Sequence, residues 1–560
     1  MYNPDNPIIV QSDKSILVEV NNLMYEKVRD EISKFAELVK SPEHIHTYRI
    51  SPLSLWNAAS SGMSIKEIKD FLEEFSKYEL PQNVIKDIED NIGKYGKIKL
   101  ISEDGELILF SEDKYLIKEI LSNKGLLKFI IGSRNEDRLI IDHMSRGEIK
   151  HNLIKIGFPV EDLAGYVDGK YFEINLKPIT STGHNLNLRD YQREACDIFY
   201  ANGSVKGGSG VIVLPCGAGK TITAMAVMEK LKAQTLIITT NITALRQWKS
   251  ELIDKTDILP EFIGEYSGEI KEVKPITITT YQILTHRNNK DDTFQHFELF
   301  NKNDWGFIIY DEVHLLPAPV FRITSQIQAK RRLGMTATLV REDNCEEDVF
   351  SLIGPKKYDV PWKVLEGKGW IACASCFEIR VPMPESIKMK YAVSPLREKF
   401  RIASENFSKI DVINALLQKH KNDNVLIIGQ YIEQLEGIAQ RTNIPIITGK
   451  TNNAERIRLY EDFKKGLLKT LIVSKVANFA IDLPDANVAI QVSGTFGSRQ
   501  EEAQRLGRIL RPKAGENTSF FYSVVTKDSR EQEFAANRQL FLTEQGYKYF
   551  IRDFNDGWEI

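Results

Sequence analysis

Hydrophobic positions along this chain change their period in stages. In the first hundred residues they recur at helical spacing. In "SIKEIKDFLEEF", residues 64–75, Ile65, Ile68, Phe71, Leu72 and Phe75 fall on one helical face. Ser64 and Glu67 stand at capping-box spacing just ahead of that face. Pro81 is placed in the first turn of a second helix, which stops near Gly96. From "GKIKLISEDGELILFS" the period drops to two, with Asp104-Gly105 as a hairpin turn. "LLKFIIGS", "RLIID" and "YFEINL" continue as strands interleaved with short helices up to about residue 178. "KPITSTGHN", residues 177–185, then reads as a polar linker.

Beyond the linker, apolar runs alternate with amphipathic helices twice over. The first series is "VIVLP", "TLIITT", "ITITTY", "GFIIYD" and "RRLGMTA". The second is "NVLIIG", "IPIIT", "TLIVS", "VAIQVS" and "SFFYSVV". Strands that are apolar on both faces belong to parallel sheets covered by helices on both sides, so two α/β domains in tandem are expected. The expected order is a small, mostly helical domain over 1–105, an α+β module over 106–180, and α/β domains over 181–365 and 366–560.

Composition narrows the setting. The 560 residues are 42% hydrophobic and 27% charged, as in ordinary globular proteins. No apolar run is long enough to span a bilayer, and the N-terminus lacks a signal pattern, so no membrane association is expected. Five cysteines in so long a chain make no disulfide framework, which points to a reducing cytoplasm. Cys373 and Cys376 form a lone CxxC without further ligands nearby and read as structural. The net charge of −3 confines any contact with phosphate backbones to a local basic lining.

The candidate chemistry begins at "VIVLPCGAGKT". A strand runs into Gly217-Ala218-Gly219-Lys220-Thr221 and then into a helix. Such a turn cradles phosphates with backbone N–H groups, Lys220 reaching the β- and γ-phosphates and the Thr221 hydroxyl ligating Mg²⁺. The strict eight-residue pattern fails, because Leu214 occupies its first glycine position. "GFIIYDEVH" adds an apolar strand ending in Asp311 and Glu312. Asp311 would orient the Mg²⁺ shell and Glu312 would polarise the attacking water. In the other α/β domain, "QRLGRILRP" sets Arg508 and Arg511 three apart on one helical face, where they could stabilise charge on a transferring phosphoryl group.

In this order, "PCGAGKT", "DEVH", "TAT" and "QRLGRILR" resemble motifs I, II, III and VI of superfamily 2 helicases, and more closely the XPB branch of DNA repair and transcription helicases. The resemblance implies two tandem RecA-like domains, ATP and Mg²⁺ as cofactors, and 3′ to 5′ movement on single-stranded or forked duplex DNA. "LRDYQREA" is similar to the adenine-reading segment, with Gln192 as the implied base contact. "TATLVRED" carries Arg341, Glu342 and Asp343, which resemble the XPB-specific RED signature, after Thr336 and Thr338 of motif III. "SKVANFAIDLPDANVAIQVSG" resembles the XPB form of motif V and "RQLFLTEQGYKYFI" the family's C-terminal end. "YRISPLSLWNAASSGMSIKEIKDFLE" looks like the family's N-terminal domain, and the α+β module occupies the place of its damage-recognition domain.

By the same resemblance Asp482 would contact the ribose, while Gln504 and His314 would couple the lobes around the γ-phosphate. Thr239, Thr240, Arg246, Gln247, Thr279 and Thr280 would hold one strand's phosphates, and Ser474 and Lys475 would grip it from the second lobe. Ala480 stands where many superfamily members have glycine, and the family's thumb insertion is reduced to "SIKMKYAVSPLREKFRIASENFSK". No nuclease constellation is visible, so cleavage would fall to a separate nuclease or other repair factors. Two alternatives stay open at this stage, an RNA-directed motor of the superfamily and a non-motor repair scaffold switched by ATP. An intact Glu312 and both arginines weigh against the scaffold, since a switch needs no water-activating residue.

Overall fold

The computed structural model describes residues 2–42, 44–287, 295–327, 330–338, 346–474, 486–495, 498–510 and 517–554. Arg341, Glu342, Asp343, Lys475, Ala480, Asp482 and Arg511 lie outside the described residues, as do the side chains of Gln504 and Arg508.

At the front of the chain, helices Pro52–Ser60, Ile65–Phe75 and Gln82–Lys94 follow a shorter one at Tyr25–Ile32. The Ser64 hydroxyl accepts from the Glu67 N–H and the Glu67 carboxylate accepts from the Ser64 N–H, closing the expected capping box. Ile68, Leu72 and Phe75 carry the buried face of that helix. Pro81 is the N-cap of the next helix rather than a residue of its first turn. Strands Ile8–Val10, Ser15–Glu19 and Ile45–Arg49 pair antiparallel beside these helices. Their runs of three to five residues are too short for a period to announce them.

The Asp104-Gly105 turn joins antiparallel strands Ile98–Glu103 and Glu106–Phe110. Both turn residues have positive φ (52° and 81°), as a two-residue hairpin of the primed type requires. Both arms stand in one five-stranded sheet with Ile130–Asn135, Arg138–Ile141 and Val160–Asp162, so that sheet crosses the limit expected at residue 105. "YFEINL" departs from expectation and forms no strand. Tyr171 and Leu176 make single bridges to Ala233 and Thr256, and Ile174 is buried. The alternation there serves packing of an extended strap on the next domain, not a ladder of its own. The linker runs on the same way, with the Lys177 and Ser181 N–H groups donating to the Lys255 and Asp254 carbonyls.

The first α/β domain holds seven parallel strands in the order Ile263–Tyr266, Ile276–Thr280, Thr235–Thr239, Phe307–Asp311, Arg331–Thr336, Ser209–Val213, Lys356–Asp359. All five expected strands are present, and the two edge strands are additions. Its core gathers Val211, Leu236, Ile238, Ile308, Tyr310 and Trp305. The second domain repeats the plan, with order Ile446–Ile447, Thr470–Ser474, Val425–Gly429, Val488–Gln491, Thr518–Thr526, Cys373–Val381, Tyr549–Asp553. Here too the pairings are parallel. The two cysteines of the CxxC lie three apart on one strand, hence on opposite faces, Cys373 exposed and Cys376 buried.

The chain divides into two compact units. One holds residues 1–37, 44–214 and 219–360; the other holds 361–560 with the stretches 38–43 and 215–218. The reduced insertion in the second unit forms helices Glu385–Val393 and Leu396–Ser404. Among the described residues no helix is long and apolar enough to cross a membrane.

Candidate active site

Strand order brings three motifs together. Phe307–Asp311, Arg331–Thr336 and Ser209–Val213 are adjacent, and their carboxyl ends finish level, Val213 opposite Thr336 and Asp311 opposite Met335. The crevice beyond the carboxyl ends of parallel strands is where α/β sheets bind ligands. The glycine turn leaves the Ser209–Val213 strand and ends in helix Lys220–Leu231, with Gly219 as its N-cap. Gly217 and Gly219 both have positive φ, 79° and 82°. A side chain at Gly219 would also meet the Gln192 amide, whose Nε2 lies 2.5 Å from the position of a Cβ. Glycine there satisfies conformation and close approach together. Gln192 is buried, and its Oε1 accepts from the Arg189 N–H, which orients the amide at the edge of the turn.

The acidic pair closes the other side. Lys220 Nζ lies 3.8 Å from Glu312 Oε1, so the candidate phosphate-binding cation and the candidate base face one space. Glu312 adopts a left-handed backbone (φ 48°), and its buried Oε2 has no hydrogen-bond partner among the described residues. Asp311 is held from three directions. Its Oδ2 accepts from the Trp248 indole N–H at 2.9 Å, its Oδ1 from the Glu312 N–H at 3.1 Å, and its carbonyl from the Tyr281 hydroxyl at 3.0 Å. Burial and the Glu312 charge push the Asp311 carboxyl up to about 6, against the Trp248 bond and the Lys220 charge.

His314 is buried behind this pair. Its Nδ1 lies 2.6 Å from Thr336 Oγ1 and 3.5 Å from Glu312 Oε2. The Thr336 hydroxyl donates to the Thr338 carbonyl, so the His314 Nδ1–H is the donor in the His–Thr bond. Motif II is thereby tied to motif III through one imidazole.

The residues that the resemblance assigns to one strand's phosphates divide. Arg246 and Gln247 are exposed on helix Ile242–Lys255, and Thr240 is partly exposed just ahead of it. Thr239, Thr279 and Thr280 are buried. The Thr239 hydroxyl donates to the Thr279 carbonyl, and that of Thr280 caps the following helix. Ser474 is likewise buried at the end of its strand. The Thr239 and Thr280 hydroxyls serve the fold, while those of Thr279 and Ser474 are buried without a hydrogen-bond partner among the described residues. Arg246 and Gln247 are the exposed members of the set and Thr240 the partly exposed one. Gln504 and Arg508 sit on helix Arg499–Ile509.

Sequence relationships decide the family. Residues 365–556 match the family described as ERCC3/RAD25/XPB C-terminal helicase, 185–341 the type III restriction enzyme res subunit, and 8–132 the helicase conserved C-terminal domain. The chain is 52% identical to the DNA 3′-5′ helicase XPB of Mycobacterium tuberculosis, over 99% of this chain and 98% of that protein. It is 49% identical to the DNA 3′-5′ helicase XPB of Kineococcus radiotolerans, over 99% and 97%. The chain belongs to the XPB family of DNA helicases. A more distant XPB, the general transcription and DNA repair factor IIH helicase/translocase subunit of Enterocytozoon bieneusi, is 34% identical over 99% of this chain and 93% of that protein. Membership in the XPB family makes the chain an ATP-using helicase. The glycine turn and Lys220, with a Glu312 oxygen that accepts no hydrogen bond among the described residues, suit a triphosphate.

Two residues at the site had no motif to announce them, Trp248 and Tyr281. Their only signal is the chain distance they span, which no local pattern encodes.

Proposed function

We propose that the chain couples ATP hydrolysis to 3′-5′ movement along one strand of DNA, with strand separation in DNA repair as its use. The approach of Lys220 to Glu312, 3.8 Å, is the observation that carries the hydrolytic half of this reading. Gly217, Ala218 and Gly219 would receive the phosphates on backbone N–H groups, that of Ala218 leaving the Pro215 carbonyl to which it donates, and Lys220 would meet their charge. Thr221 and Asp311 would hold Mg²⁺, which when bound would supply charge neutralisation at the phosphates. Glu312 orients and polarises the water, and Gln192 reads the base. Asp482, Gln504, Arg508 and Arg511 take ribose, γ-phosphate and transition-state roles by resemblance to the family's motifs.

DNA enters the reading through the relatives' printed activities and through Thr240, Arg246 and Gln247. Contacts of this kind reach phosphates and not base edges, so the grip is indifferent to sequence. The test is ATP turnover on single-stranded, duplex and forked DNA against RNA of equal length. Stimulation by DNA is expected, and greater stimulation by RNA would replace this reading with that of an RNA motor.

A further inference from the structure

We propose that Trp248 and Tyr281 are positioning residues that convey DNA contact to the metal-holding carboxylate of Asp311; this rests on the DNA-motor reading above. Two segments of the first α/β domain carry the implied DNA contacts. One is Thr240 with helix Ile242–Lys255, and the other is the strand end at Thr279-Thr280, whose buried side chains leave only its backbone to meet a strand. Each sends one buried aromatic side chain to the same residue. On the helix, Arg246 and Gln247 face solvent while Leu245, Trp248 and Leu252 face the core. Trp248 follows Gln247 directly, so the outward and inward faces are joined within a single turn. Its indole N–H donates to Asp311 Oδ2 at 2.9 Å. Tyr281 follows Thr280 directly, and its hydroxyl donates to the Asp311 carbonyl at 3.0 Å.

The two bonds divide the labour. The Trp248 bond fixes the carboxylate rotamer, because Oδ1 is already held by the Glu312 N–H. The Tyr281 bond fixes the backbone from which that carboxylate springs. An indole N–H on a carboxylate is a charge-assisted bond with a rigid donor, so a small rotation of the helix must move or release Oδ2. A phosphate drawn onto Arg246 and Gln247 turns the same helix. Turnover is then sensitive to DNA without any ligand bridging the two places.

Trp248→Phe keeps an aromatic ring and removes the N–H; Tyr281→Phe removes only the hydroxyl. Binding of a fluorescent ATP analogue, followed by anisotropy with Mg²⁺ and with EDTA, separates metal positioning from nucleotide binding. Trp248→Phe should lose roughly tenfold of the affinity that Mg²⁺ adds, the scale of one charge-assisted hydrogen bond. Its affinity in EDTA should stay unchanged. In both variants the ratio of DNA-stimulated to basal turnover should fall towards one, with DNA affinity retained. A wild-type Mg²⁺ gain and a wild-type stimulation ratio in Trp248→Phe would overturn the proposal. So would an equal loss of binding in EDTA, which would assign Trp248 to folding alone. If the unaltered protein is stimulated by no DNA, the motor reading fails instead, and the two failures are told apart.

Discussion

At residue scale the site concentrates strain and unmet hydrogen-bonding capacity on Glu312. A non-glycine residue in the left-handed region costs about 1–2 kcal/mol, and here it sits beside a buried carboxylate oxygen without a hydrogen-bond partner. Such features persist where the reaction uses them. Glu312→Gln keeps the shape and removes the basic oxygen. Turnover should fall by about 10²–10⁴-fold, the usual contribution of a positioned base, while ATP affinity is retained. Single-turnover hydrolysis beside equilibrium nucleotide binding checks this, and near-wild-type hydrolysis would remove Glu312 from the water-activating role. Much of this site was legible in the sequence, because "GAGKT" and "DEVH" are local patterns whose chemistry needs adjacent residues. Trp248 was not, since its partner lies 63 positions away. The buried hydroxyls of Thr239 and Thr280 were not either, because a motif gives the residue and not the direction of its side chain.

Among the elements, legibility in the first α/β domain followed length and burial. The ten strands expected of the two α/β domains are all present, being apolar on both faces. The short N-terminal strands, Ile263–Tyr266, Lys356–Asp359 and Tyr549–Asp553 escaped, since three- to five-residue runs hold too few periods to recognise. The nine-residue Cys373–Val381 inside the second sheet escaped as well, because its exposed and half-buried positions break the apolar run. Within the α+β module, strand Val160–Asp162 is clamped to helix Arg146–Lys155 by charge. Asp162 accepts from Arg146 Nε and Nη2 and from Lys150 Nζ at 2.6–3.0 Å, all three side chains being nearly buried. Burial works to raise the Asp162 carboxyl, but Lys150 and Arg146 outweigh it and hold it well below the usual carboxylate range. Burial pushes the Lys150 ammonium down to about 8 against the pull of Asp162. Asp162→Asn leaves two buried cations short of a counter-charge and should cost about 3–5 kcal/mol of stability. The depressed carboxyl also sets a sign with pH. Its contribution is complete above its unfolded value near 4 and is lost as pH falls below it. Urea midpoints across the acid range should therefore drop more steeply for the wild type than for Asp162→Asn. Parallel acid limbs would show that Asp162 does not carry this stabilisation.

On the scale of the whole molecule, the question is how accessory modules share in the motor's cycle. Helix Glu346–Leu352 offers a route inside the first unit. Its Phe350 packs against Trp56 and Tyr95 of the N-terminal helices and joins a cluster with Ile154 of the α+β module. His151 of that module lies 3.1 Å from Asp348 on the same helix. Three modules therefore meet on one short helix, and the chain reaches it from the Thr336–Thr338 end of the nucleotide crevice through "LVREDNC". Arg341, Glu342 and Asp343 lie outside the described residues, and their part is a proposal from that order along the chain. Because the triplet follows Thr338 in the chain and precedes helix Glu346–Leu352, we propose that it acts after hydrolysis, not in it. Alanine at both Arg341 and Asp343 should leave ATP turnover within a few-fold of wild type, about 1 kcal/mol or less on the barrier, while strand separation collapses. Both activities are measured on one forked substrate, so that DNA binding is common to the two readings. Unwinding that survives the double substitution would return the triplet to a solvated loop and move the coupling to the Phe350 joint, where Phe350→Leu becomes the variant that must uncouple the two activities.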